Sequence, residues 1–230
     1  MGWPNTTNIT MVLPVVVVRD PYQWMVSMCR QGYAAQFDHN DAYCPNIVPY
    51  PGDIKAHPRF RNFNYTPVFV AYEGHKKTKY ESLVHLWNSY YRAYFYGNNE
   101  RQLPEFFPRL IVRLEDLWFR PKETISQVCA CGGGTMSDDS QSGGFVHMRR
   151  VANRNPGIYG ADKRIKDKNS TKVTHHTGLL GSLIRYGDSK SRGEKYNDIQ
   201  LRAAKDLLDA ELMATFRYTY IETKESKHLG

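Results

Sequence analysis

The chain of 230 residues has no apolar run longer than the eight residues at 11–18, far short of the roughly 18 to 20 that a membrane-crossing helix needs. No membrane span is expected. It has no Gly-Lys dipeptide, which excludes a Walker A loop of the usual form. Its four cysteines, Cys29, Cys44, Cys129 and Cys131, include no C-x-x-C pair, so a zinc site of ordinary spacing, and any metal, is not expected. The first ten residues, MGWPNTTNIT, carry neither a basic n-region nor an apolar h-region, so no export signal is readable there. No internal repeat is visible.

What is present reads as one globular domain spanning 1–230. Hydrophobic residues make up 41% and charged residues 23%, which excludes a disordered, collagenous or coiled-coil chain. The 31 Lys and Arg exceed the 23 Asp and Glu, a formal charge of +8. The densest basic stretch, 149–172, has no zinc-finger spacing, RNP-like box or recognition helix beside it, so nucleic acid is not the expected partner. A basic nucleic-acid-binding protein stays open as the most distant reading. The sequons at Asn5, Asn8, Asn64 and Asn169 and the even cysteine count favour a glycoprotein of a secretory lumen such as the Golgi. The alternative is a cytoplasmic chain with buried thiols.

The run VLPVVVV at 12–18 predicts a parallel strand covered on both faces. Arg19-Asp20-Pro21 ends it: Asp is a good N-cap, Pro suits the first helical turn, and Gln23 falls where a capping box would reach back. A helix is predicted at about 21–31. The segment 32–79, rich in Pro, Asn, Tyr and His, predicts an irregular insertion. Apolar spacing from 81 to 96 predicts an amphipathic helix. RLIVRL at 109–114 predicts a second strand closed by Glu115-Asp116, and Pro121 opens a helix at 122–130. Residues 132–174 are polar enough to predict a second irregular insertion, and helical patterns follow at 198–208 and 209–216. Alternating strands and helices predict an α/β fold with a parallel sheet.

In such folds ligands bind beyond the carboxyl ends of the strands. Arg19 stands at that edge, before a helix terminus whose N–H groups attract anions. Ser27 lies two turns on, on the same flank, roughly 10 Å along the axis. Together they could hold one phosphate. Equally, Arg19 could pair with Glu115 or Asp116, and Ser27 could be satisfied within its helix.

The string VVVVRDPYQWMVSMCR resembles the 3′-phosphate-binding segment of the PAPS-dependent sulfotransferases, in which a strand runs into Arg-Asp-Pro and a Ser follows eight residues after the Arg. PRLIVRLEDLWFRPKETISQVCACGG at 108–133 and LDAELMATFRY at 208–218 are similar to later family segments, and SLVHLWNSYYRAY at 82–94 to algal members. These segments follow one another along the chain in the family's order. The resemblance implies a P-loop-like sulfotransferase fold. It also implies a sulfotransferase that moves a sulfuryl group from PAPS to a hydroxyl or amine of a carbohydrate or similar acceptor, with no metal. Arg19 and Ser27 would hold the nucleotide's 3′-phosphate, with Arg185, in a late loop, as a weaker contact. The family's 5′-phosphosulfate loop, a strand followed by Lys-x-Gly-Thr, has no match, because only MGWPNTTNITM precedes the first strand. The expectation is that the first strand and its loop are missing from an incomplete sequence. No catalytic residue is assigned, since His39, His75, His85, His175 and His176 sit in no matching motif. A chain without that loop is expected to transfer sulfate poorly, and a non-catalytic phosphonucleotide-binding module of the same fold is the nearest alternative.

Overall fold

The computed structural model describes residues 12–38, 45–49, 54–55, 61–71, 76–97, 108–134, 183 and 186–223. Within them the order is β1 (Val15–Val18), α1 (Pro21–Arg30), β2 (Ala35–Gln36), β3 (Val68–Val70), β4 (Thr78–Tyr80), α2 (Leu83–Tyr96), β5 (Leu110–Arg113), α3 (Leu114–Phe119), α4 (Pro121–Cys131), α5 (Ser189–Gly193), α6 (Asp198–Leu207) and α7 (Ala210–Thr215). The architecture is mixed α/β with a small parallel sheet: β1 pairs β5 in register Val15↔Leu110 to Val18↔Arg113. A parallel pair needs a crossover, and the chain between the two strands supplies it through α1 and α2.

Two expectations need correction. The strand at 12–18 is four residues long and covered unevenly, with Val18 buried but Val15 and Val17 46% and 44% exposed. Among the described residues its sheet has two strands, which is too few to sandwich every valine. The insertion at 32–79 is not irregular throughout. Its described parts form a second, antiparallel sheet ordered β2-β3-β4, with Ala35 opposite Val70 and Phe69 opposite Lys79. Val68 and Val70 turn one face of it to the core. Beyond Gly134, the polar segment 132–174 lies outside the described residues.

The helices begin where short polar side chains can satisfy the first free N–H groups. Asp20 accepts from the Gln23 N–H at 3.0 Å, Ser82 from Val84 at 3.2 Å, and Asn197 from Gln200 at 2.8 Å. The core gathers α1, α2, α6 and α7 around Trp87, which is fully buried with Tyr22, Met25 and Leu212. The Trp87 ring meets Tyr91 at 5.1 Å, Phe216 at 6.4 Å and Tyr218 at 6.5 Å between centroids, and each such pair is worth about 0.5–1.5 kcal/mol beyond its area. No described helix is long and apolar enough to cross a membrane.

Candidate functional site

The carboxyl edge of the parallel sheet carries a buried network that fixes its first loop. Glu115 accepts the Asp20 N–H at 2.9 Å and the Tyr218 hydroxyl at 2.8 Å. Asp20 faces Arg192, whose guanidinium also donates to the Thr219 carbonyl at 2.9 Å and the Thr219 hydroxyl at 3.0 Å. Burial raises the Glu115 carboxyl above its ordinary value, because a charge removed from water is costly even when hydrogen bonded. The Tyr196 hydroxyl donates to the Tyr22 carbonyl at 2.7 Å, and Trp87 Nε1 to the Arg19 carbonyl at 3.2 Å. Residues 19–22 are thus held from α2, α3, α5 and the chain after α7.

Arg19 and Ser27 are brought together. Both line a cavity of about 70 Å³ between α1 and the chain around α5, whose wall also holds Gln23, Arg30, Ser191 and Lys195. Its volume suits a single oxyanion rather than a whole nucleotide. Arg19, Arg30 and Lys195 face one carboxylate, Glu194, which leaves a local excess of positive charge. Arg19 takes neither Glu115 nor Asp116 as partner: Glu115 is engaged as above, and Asp116 binds Arg120 at 2.9 Å. The Arg19 guanidinium instead lies 5.5 Å from the Tyr186 ring, and its buried Nε has no hydrogen-bond partner among the described residues. Ser27, by contrast, is satisfied locally through its hydroxyl, which donates to the Trp24 carbonyl at 2.7 Å. A serine oxygen that donates this way keeps lone pairs but must rotate to donate to an anion.

The first turn of α1 is not an open anion site. Asp20 itself caps it, so the cavity runs along the helix flank, past Gln23 and Ser27 to Arg30. Gln23 does not reach back as a capping box would: its amide points to the Ser191 and Arg192 carbonyls at 3.5 and 3.4 Å, tying α1 to α5. Arg185 lies outside the described residues, as do His39, His75, His175 and His176. His85 is structural. Its Nδ1 meets the Ser82 hydroxyl at 2.9 Å and its Nε2 lies 3.5 Å from Glu81, so it braces the start of α2.

Sequence reasoning missed Arg30, Ser191 and Lys195. Arg30 was findable, three residues beyond Ser27 on the same flank. Lys195 was not, since only the fold places it opposite Arg19. Among the described residues no group of three or more metal-ligating side chains occurs. Comparison with protein-family models, with curated proteins and with solved structures gives no match.

Proposed function

We propose that the chain is a nucleotide-dependent sulfotransferase of P-loop-like fold, using PAPS as donor and a hydroxyl or amine of a carbohydrate as acceptor. In this reading the small basic cavity grips the 3′-phosphate of the nucleotide. The observation that carries it is the convergence of Arg19, Ser27, Arg30 and Lys195 on one oxyanion-sized cavity beyond the end of a parallel strand. A guanidinium with an unpartnered buried Nε beside two further cations is a site short of an anion. Arg19 and Ser27 are the nucleotide contacts, with Lys195 and Arg30 as additional ones.

The test is calorimetric titration with adenosine 3′,5′-bisphosphate against adenosine 5′-monophosphate. The bisphosphate binds more tightly, and Arg19→Ala weakens it by roughly 1.5–3 kcal/mol, the size of a hydrogen bond to a charged group. Equal affinity for the two nucleotides, or unchanged affinity in Arg19→Ala, overturns the reading. The compartment belongs to the same proposal: a disulfide at Cys29 and an exposed sequon at Asn64 support residence in an oxidising, glycosylating lumen.

A further inference from the structure

A second, larger cavity lies against β5, α4 and the end of α7. Its volume of about 450 Å³ falls in the range of small-molecule sites, roughly 300–1,000 Å³. Its lining combines apolar Leu110, Phe95 and Phe216 with Arg113, Arg120, Arg217, Asp116 and Glu123. The carboxylates are already engaged: Asp116 holds Arg120 at 2.9 Å and lies 3.9 Å from Arg113, and Glu123 lies 3.9 Å from Arg120. Arg217 is the exception, with no ion pair among the described residues.

The backbone at Arg217 makes that exception informative. Its φ is +55°, and the bonds Arg217 N–H to the Ala214 carbonyl at 3.0 Å and Tyr218 N–H to the Met213 carbonyl at 2.8 Å form a Schellman motif. The residue in this left-handed position is usually glycine, because a Cβ is strained there. Arginine therefore weakens the helix end it occupies, while placing a guanidinium on the wall of a half-apolar cavity. A residue that is locally unfavourable and faces a cavity is where functional constraint is expected to override folding preference.

We propose that this cavity binds a hydrophobic organic monoanion, an aryl or alkyl carboxylate or sulfate ester, with its apolar body on Phe95 and Phe216 and its charge on Arg217. The site is separate from the nucleotide cavity and does not depend on that reading, although Arg113 on its wall pairs in register with Val18, so both reach the same sheet edge.

The test titrates the full chain with 4-nitrobenzoate and its neutral isostere 4-nitrobenzamide, alongside thermal melts. The carboxylate binds about ten- to a hundredfold more tightly than the amide, the value of one charged hydrogen bond. Arg217→Gly loses that advantage while its melting temperature rises by about 2–4 °C, as relief of a left-handed residue in a chain of this size predicts. Arg217→Lys keeps most of the preference, and Arg19→Ala keeps all of it. Undetectable carboxylate binding at millimolar concentration, equal binding of acid and amide, or full affinity in an Arg217→Gly protein that melts normally would each overturn the proposal.

Discussion

The Arg192 guanidinium and the Asp20 carboxylate meet at 2.5 Å across 172 positions of sequence, both almost wholly buried. One end of this pair is the N-cap of α1 and the other belongs to α5, so a single contact ties together the two elements that flank the small basic cavity. Truncating Arg192 to Ala leaves Asp20 buried without its partner, which typically costs about 3–5 kcal/mol. Urea unfolding should show that loss. Adding Asp20→Asn to the variant should recover part of it, because the orphaned charge is then gone and an amide oxygen can still cap α1. A loss below about 1 kcal/mol would mean the pair is dispensable for the fold.

Glu115 should give the protein a pH-dependent stability of opposite sign to that of a salt-bridged carboxylate. Burial raises its carboxyl above the ordinary 4.5, so between those two values the folded state holds a proton that the unfolded state has released. Stability then falls as pH rises through that window. Glu115→Gln has no proton to lose and keeps an oxygen for the Asp20 N–H. Unfolding free energies followed from pH 4 to 7 should decline more steeply in the parent than in the variant. Parallel curves would show that Glu115 ionises without penalty.

Much of this was legible in the sequence, for identifiable reasons. Asp20-Pro21 marked the start of α1 because a cap and a fixed φ act locally. The spacing through Trp87 and Tyr91 showed α2 because its buried face repeats over four turns. Strands β2, β3 and β4 were hidden because each has two or three residues, too few for an alternation to register, and their pairing joins positions far apart. Arg19 and Ser27 could be named from their place after a strand. The Tyr186 ring beside the Arg19 guanidinium and the Lys195 that shares its cavity come from the far end of the chain, and no local pattern points to them.

Trp87 couples the core to the site. Its ring is fully buried and its Nε1 donates to the Arg19 carbonyl, while the Arg19 backbone also hydrogen-bonds the Tyr91 hydroxyl. Trp87→Phe keeps an aromatic core but removes one donor and some volume, so a loss of about 1–3 kcal/mol is expected. Affinity for the proposed nucleotide, adenosine 3′,5′-bisphosphate, should fall with it, since the backbone that aims the Arg19 guanidinium is less firmly held. A destabilised variant with unaltered affinity would show that Trp87 serves packing alone.

The state of the cysteines and of Asn64 tests the compartment. Cys29 is disulfide-bonded, whereas Cys129 and Cys131 are free, and the fourth cysteine, Cys44, lies outside the described residues. Peptide mapping without reduction is expected to recover Cys29 linked to Cys44, with Cys129 and Cys131 open to alkylation. A bridge closing a loop of about fifteen residues restricts the unfolded chain and is worth roughly 3 kcal/mol in the chain-entropy model, so reduction should lower the unfolding midpoint measurably. Asn64 sits exposed just before β3, where a glycan would extend into solvent without displacing the Val68 and Val70 face that the core covers. Protein from its native source should therefore carry a glycan at Asn64. A reducing, non-glycosylating compartment would leave Cys29 as a thiol and Asn64 bare. Mass spectra showing four alkylatable cysteines and unmodified Asn64 would overturn the proposed lumenal compartment and favour the cytosol.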